Sequence, residues 1–300
     1  MRSSSALRGL YSPVCLVLCF LLATPAFGWW ETGHRTVARI AVFYLTPAAR
    51  TRLARILNVP DTPNSVADAL AIASTWADET KSQTKTGAWH FIDIALQDHE
   101  SDIRARCQND NCVTARIRIF AAQLSSHSPA APGQPSDLDA LRYLVHFVGD
   151  VHQPLHAVSD ADLGGNCEHV DPPVGSAKNV HAVWDGPMVD SFNESDVQLA
   201  ADLEKTIDSY TPKLRSDLAL GNQDDWAWES HRVAIKQIYQ NMKIPEEPIE
   251  FPADCTVAPR AITRLTFNLS QTYLDEMHPV VRDQLVKAGL RLARLLSESL

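Results

Sequence analysis

Basic residues are in short supply in this chain of 300 residues: 27 Lys and Arg face 36 Asp and Glu. Such a balance excludes a surface that holds nucleic acid by positive charge alone, unless bound divalent cations reverse the local sign. Long apolar runs are also missing. The one at Val14 to Ala23 is too short to span a bilayer permanently, and no second run of about 18 apolar residues follows, so no membrane anchor is expected. Convincing runs of alternating apolar and polar residues are absent, as are internal repeats and low-complexity blocks, which leaves helix as the dominant signal. Cysteines number six, and none stands free of a leader or an expected disulfide, which argues against a thiolate-rich structural metal site.

What is present begins with an export leader. Residues 1–28 carry Arg2 and Arg8, the apolar run and the small-residue cleavage site Ala26-Phe27-Gly28. Cleavage after Gly28 leaves residues 29–300 as one domain with 25 basic and 36 acidic side chains, destined for the periplasm or the medium. Cys15 and Cys19 leave with the leader. The remaining Cys107, Cys112, Cys167 and Cys255 allow three pairings; the short loop favours Cys107–Cys112, which leaves Cys167–Cys255. Asn193-Glu194-Ser195 and Asn268-Leu269-Ser270 are glycosylation sequons.

Apolar residues at helical spacing predict an all-α, single mainly helical domain. A first helix starts near His34, and Thr46-Pro47 restarts a second that runs to about Leu57. A third, from about Asn64, delivers Asp78 near its C-terminal side, and Cys112 to Leu124 is helical again. Gly87 to Ile94 reads as an extended segment or loop. Ser126 to Pro135 is a linker, Asp160 to Ala177 a long surface loop, and Pro245 to Pro259 an irregular crossing segment. Helices over Glu204 to Leu220 and Trp226 to Met242 follow, and the last of two closing helices spans roughly Pro279 to Leu296.

The chemistry gathers at His146-Phe147-Val148-Gly149-Asp150-Val151-His152-Gln153-Pro154-Leu155-His156. Ser136 with Asp139 three residues on is a helix start, and Leu141, Leu144, Val145 and Val148 form its apolar stripe. His146 and Asp150 project from one face, about 6 Å apart along the axis, where a cation fits between them. Pro154 ends the helix and lets His156 fold back toward Asp150, whereas His152 points to the opposite side and is left out of the ligand set. The spacing recurs in His181-x3-Asp185. His90, between Trp89 and Phe91, is at this level either a packed core side chain or a ligand. Imidazole with carboxylate is a zinc-type donor set.

Trp29-x4-His34, Trp76-Ala77-Asp78-Glu79, Trp89-His90-Phe91-Ile92-Asp93, His146-x3-Asp150-x5-His156, Gly164-Gly165-Asn166 and Asn179-x-His181-x2-Trp184-Asp185 together resemble the S1/P1 nuclease family. The closing Lys287-Ala288-Gly289-Leu290-Arg291-Leu292-Ala293 is similar to that family's last helix, so the resemblance covers essentially all of residues 29–300. It implies the phospholipase C/P1 nuclease fold and an exported enzyme with three Zn2+ that cleaves single-stranded DNA and RNA and removes 3′-phosphates from nucleotides. It further implies that Asp78, His90, His146 and Asp150 hold one zinc. Trp29, through its amino nitrogen and carbonyl, would hold a second with His34 and Asp150; His156, His181 and Asp185 would hold the third. Lys81 stands where the family often has arginine against the phosphate, and lysine lacks the bidentate fork. Phe91 would stack on a base and Asp93 would hydrogen-bond its edge. No obligate protein partner is implied.

Two other readings share features with this one. Zinc-dependent phospholipase C enzymes are similar in fold and metal plan, but the short Trp29–His34 spacing and an Asp rather than Glu at 185 favour the nuclease. A noncatalytic exported zinc-binding protein would keep all nine ligands and would have no need of Lys81, Phe91 and Asp93.

Overall fold

The computed structural model describes residues 29–126, 133–258 and 265–300. The leader and its cleavage site, most of the Ser126 to Pro135 linker and residues 259–264 lie outside the described residues. Helices dominate: α1 Glu31–Phe43, α2 Pro47–Leu57, α3 Pro63–Ala73, α4 Trp76–Thr84, α5 Ile103–Arg106, α6 Val113–Ser125, α7 Asp137–Asp150, α8 Val180–Asp185, α9 Pro187–Asp190, α10 Asp196–Ser209, α11 Pro212–Leu218, α12 Gln223–Val233 and α13 Gln271–Ser299. Three short strands, β1 His169–Val174, β2 Ala177–Asn179 and β3 Thr266–Phe267, form a sheet in the order β2-β1-β3. β1 runs antiparallel to β2 and parallel to β3. None of the described helices is long and apolar enough to cross a membrane.

Helix starts follow local chemistry. Thr46, Thr62, Ser136, Ser195, Thr211 and Ser270 each accept a first-turn N–H with their hydroxyls, and Pro47, Pro63 and Pro212 supply the first-turn prolines. α7 is the central helix, with residues Tyr143 to Asp150 all buried. It packs against α1, α3, α4 and α6, and α1 in turn lies against α13, α3 and α10. Gly289 of α13 permits the α1 contact, because a Cβ there would collide with the Ile40 side chain.

Four expectations are corrected. Asp78 does not end α3; it lies in the first turn of a separate helix, α4. Ser74 and Thr75 end α3 by donating their hydroxyls back to the carbonyls of Ala71 and Ile72. Helix continues through Pro279, which lies inside α13 rather than starting it. One lost backbone bond and its clash, about 3 kcal/mol, are offset by the buried face of Leu274, Met277, Val281 and Leu285. The stretch after Asp160 is not a surface loop throughout. Asp160, Asp162 and Glu168 are buried, with Tyr239 donating its hydroxyl to both Asp162 oxygens (3.0 and 2.9 Å), and the stretch supplies β1. Gly87–His90 is a single 3-10 turn, and only the residues after it are extended. The disulfides are Cys107–Cys112 and Cys167–Cys255, as expected.

The turn after α7 is clamped from the far side. Ser230 of α12 donates to the carbonyl of Val151 (2.6 Å), and Gln284 of α13 donates to that of His152 (2.8 Å). The His152 ring donates to the Val148 carbonyl (2.7 Å) and accepts from Arg291 (3.0 Å), whose guanidinium also reaches Glu229 (2.7 Å). His152 is thus a structural side chain facing away from the other histidines, as its position in the sequence predicts.

Candidate metal centre

Five segments meet above α7, each delivering a side chain for a reason visible in its local structure. α1 brings His34 onto Asp150, with Nε2 to Oδ1 at 3.5 Å. That approach requires Gly149, since a Cβ there would stand 2.5 Å from His34 Nδ1. α4 brings Asp78, whose Oδ1 lies 3.6 Å from His146 Nε2 and 3.5 Å from His90 Nδ1. His90 comes from the 3-10 turn, and the strand-like residues after it are pinned: Ile92 donates to the His156 carbonyl (2.8 Å) and Ser159 to that of Ile94 (2.9 Å). Pro154 stops the helix, Gln153 caps the new 3-10 turn through the Leu155 N–H, and His156 folds back with Nδ1 at 3.5 Å from Asp150 Oδ1. α8 presents His181 and Asp185 from one face, Nε2 to Oδ2 at 3.3 Å, and His156 Nε2 lies 3.5 Å from Asp185 Oδ1.

These side chains form three buried groups in which ligand atoms converge: His34, His146 and Asp150; Asp78, His90 and His146; His156, His181 and Asp185. The first two share His146, and Asp150 also faces His90 at 3.0 Å and His146 at 3.2 Å. Asp150 therefore stands at the junction. The rings are aimed by their other nitrogens. His146 donates from Nδ1 to the Ser74 carbonyl (2.7 Å), His156 to that of His90 (2.9 Å), and His181 to that of Gly164 (2.7 Å), which frees Nε2 in each case to face its carboxylate. Gly164 is held at φ +61°, where a side chain would strike the Leu155 carbonyl, so its carbonyl can reach His181. Gln153 donates to Asp185 Oδ1 at 2.6 Å.

The donor set fits a metal on two grounds. Buried atoms of these groups, including both His34 nitrogens, His90 Nε2, Asp150 Oδ1, His156 Nε2 and Asp185 Oδ2, have no hydrogen-bond partner. An unmet buried polar atom costs about 1–3 kcal/mol, so a cluster of them is poorly satisfied by protein alone. Their types, imidazole nitrogen and carboxylate oxygen, are those that bind zinc. The carboxylates and imidazoles also act on one another's protons. Burial pushes the Asp150 carboxyl up, but His146, His156 and His34 outweigh it and hold it well below the ordinary carboxylate range. Asp78 is likewise lowered, with His146 and Lys81 overcoming burial. Burial works against a proton on His146 as well, yet Asp150 and Asp78 raise it to about 10. His34 is lowered to about 4, by burial and then by the stacked His146 ring 3.9 Å away.

Trp29 is fully buried, and a Cβ on Gly33 would lie 2.6 Å from its Cβ; the next residue, Trp30, donates its N–H to the Asp185 carbonyl (2.7 Å). That contact ties the start of the described chain to α8. Lys81 sits one turn after Asp78 with Nζ 3.1 Å from its Oδ1. Phe91 is 39% exposed, in contrast to the buried Ile92 and Ile94 around it. Asp93 is half-buried, and burial followed by Asp162 raises its carboxyl to about 6. Sequence reasoning missed Ser74, Gly149 and Gln153, none of which is a ligand type with a periodic signal. The glycine beside Asp150 and the glutamine before Pro154 were the available cues.

A family model for the S1/P1 Nuclease matches residues 29–300. Endonuclease 3 of Arabidopsis thaliana is 29% identical over 294 residues, covering 95% of this chain and 93% of its own length. Nuclease S1 of Aspergillus oryzae is 28% identical over 281 residues, covering 91% and 92% respectively. Nuclease P1 of Penicillium citrinum is 28% identical over 283 residues, covering 90% and 97%. With this match running over the same segments that build the three His/Asp groups, the chain belongs to the S1/P1 nuclease family, hydrolases acting on phosphoester bonds.

Proposed function

We propose that this protein is an exported zinc-dependent phosphodiesterase that hydrolyses single-stranded DNA and RNA to 5′-nucleotides and removes 3′-phosphates from nucleotides. The observation that carries the reading is the presence of three buried His/Asp groups, two sharing His146 and the third linked to Asp150 through His156, with unpartnered ligand atoms in each. Asp78, His90, His146 and Asp150 would hold one zinc. The Trp29 amino nitrogen and carbonyl, His34 and Asp150 would hold a second, and His156, His181 and Asp185 a third. An amino nitrogen ligates only when it is free and deprotonated, so removal of residues 1–28 is a condition for the complete site.

Bound zinc would supply Lewis acidity: a water acidic enough to deprotonate near neutral pH, and positive charge against the phosphate and the departing 3′-oxygen. The chain does the rest. Asp150 fixes the spacing between two of the groups, because its two oxygens face different histidines. Lys81, whose ammonium lies 3.1 Å from Asp78 Oδ1, would meet a phosphate oxygen. Phe91 offers an open ring face for one base, and Asp93 an acceptor at that base's edge. Stacking tolerates any base but needs an unpaired one, which gives a physical reason for single-strand preference.

The test is hydrolysis by the processed protein, zinc-replete and chelator-stripped, of single-stranded DNA, single-stranded RNA and a 3′-mononucleotide, with products identified. Zinc-dependent appearance of 5′-mononucleotides from both polymers is expected. A zinc-loaded protein that leaves all three substrates intact would overturn the reading.

A further inference from the structure

Between Asp150 and His156 the chain leaves α7, turns at Pro154 and enters the 3-10 turn Pro154–Ala157. Asp150 belongs to the group with His34 and His146, and His156 to the group with His181 and Asp185. The course of this short span therefore sets how far apart those two groups lie. The carbonyls directly after each ligand, those of Val151 and Ala157, both accept from α12. Ser230 Oγ donates to the first (2.6 Å) and His231 Nδ1 to the second (3.2 Å). Consecutive residues of a helix stand about 3.8 Å apart and point about 100° away from one another, so one rigid stretch of α12 reaches two points of the span at once. That stretch is itself held. Gln284 of α13 donates to Ser230 Oγ (3.2 Å), and the Trp228 ring stacks on the His231 ring at 4.9 Å.

Packing alone would choose neither side chain for these buried positions. A serine inside a helix ordinarily turns back to the carbonyl four residues earlier, whereas Ser230 reaches across to another segment. His231 donates from Nδ1, which leaves its Nε2 a buried lone pair without a partner among the described residues. Such an atom costs about 1–3 kcal/mol, a cost that a leucine in its place would not carry. Burial lowers the ring to about 4, so it stays neutral and its one N–H is committed to Ala157. We infer that Ser230 and His231 are positioning residues that fix the separation of Asp150 from His156, and with it the place of the third zinc relative to the other two. The inference rests on the zinc-binding part of the reading above. Misplacing reacting groups by about 1 Å costs on the order of 10²-fold in rate, so the separation governs turnover.

The test uses the processed, zinc-loaded full-length enzyme and its variants His231→Leu, His231→Asn and Ser230→Ala. Zinc positions are read by anomalous diffraction, zinc content by elemental analysis, and kcat and KM on single-stranded dA10. His231→Leu should keep its zinc content, move the third zinc about 0.5–1 Å relative to the other two, and lower kcat about 10–100-fold with KM within about threefold. Asparagine carries an amide nitrogen where histidine has Nδ1, so His231→Asn should bring back the spacing and return kcat to within about threefold of wild type. Ser230→Ala deletes a single oxygen and should shift the same spacing less, which keeps the inference testable if His231→Leu does not fold. Unchanged zinc spacing in the variants, with only a lower Tm, would make the pair structural and overturn the inference, as would a loss of kcat that His231→Asn does not recover. Wild-type protein that fills all three groups with zinc but leaves dA10 intact would overturn the nuclease activity alone, because the spacing is read without turnover.

Discussion

The two sides of the candidate metal centre are built by different means. Around Asp150 the ligands come from helices packed on one another: His34 on α1, Asp78 on α4, His146 and Asp150 on α7, with only His90 arriving on a short turn. Around Asp185 the ligands are aimed by irregular backbone: a 3-10 turn carries His156, a left-handed glycine orients His181, and Gln153 steadies the carboxylate. Helix packing sets positions through many small contacts, so no single one is decisive. Hydrogen-bonded turns concentrate the same task in one or two bonds. The Asp150 side should accordingly be vulnerable at its shared ligand and resistant elsewhere, and the Asp185 side should be vulnerable at the residues that aim its ligands.

The largest effect is expected from Asp150→Asn. It removes a carboxylate facing His34, His90, His146 and His156, so bound zinc, measured by elemental analysis, should fall from about three ions per chain to about one, with activity falling roughly 10³-fold or more. Retention of all three ions would dissolve the contrast between a shared ligand and single ones. Next comes Gln153→Ala, which removes a partner of Asp185 and the cap of the turn carrying His156. Competition with a zinc-sensing dye should show one ion weakened about 10–100-fold and the other two unchanged; equal weakening of all three would mean that the sides are not independent.

Gly149→Ala probes the packing side. The new methyl meets His34 Nδ1, so the cost of overpacking, about 1–3 kcal/mol, should lower Tm of the metal-stripped protein by a few degrees. An unchanged Tm would show that α1 moves aside freely. The smallest effect concerns Asp93. Its carboxyl is raised to about 6, and in the proposed role it would accept from a base more strongly when ionised. KM should hold steady above that value and rise a few-fold as pH falls through it, because protonation of a group with a raised pKa begins early on the way down. Asp93→Asn should bind more weakly at every pH and lose the inflection; a persisting inflection would assign it to another group.

How much of this was legible in advance depends on the range of the cause. His146 with Asp150, and His181 with Asp185, could be read because both members sit on one helix face and periodicity reports exactly such neighbours at short range. The break before Asp78 could not, because it turns on Ser74 and Thr75 closing a helix that apolar spacing would have continued, and on His146 waiting 72 residues away for the Ser74 carbonyl. Pro279 misled for the opposite reason: a local rule against helix was overridden by burial that only tertiary packing supplies. The acids of the stretch after Asp160 suggested water, and the Tyr239 hydroxyl that satisfies Asp162 lies 77 residues on. The remaining candidate ligands, Trp29, His34, Asp78 and His90, were assigned by resemblance to a family; Ser74, Gly149 and Gln153, which support the cluster, were not.

The clamp on His152 has a consequence for the order in which the site can come into being. The side chains that face one another in the centre lie between positions 34 and 185, so they leave the ribosome early, but Gln284 and Arg291 of the last helix grip the turn beyond Asp150. α1, which carries His34, also finds its main neighbour in that same helix. A growing chain therefore lacks these supports for the site until nearly the final residue has been made. Under the proposed export and zinc loading, the metal would be acquired at the destination, where the completed fold first offers it a place.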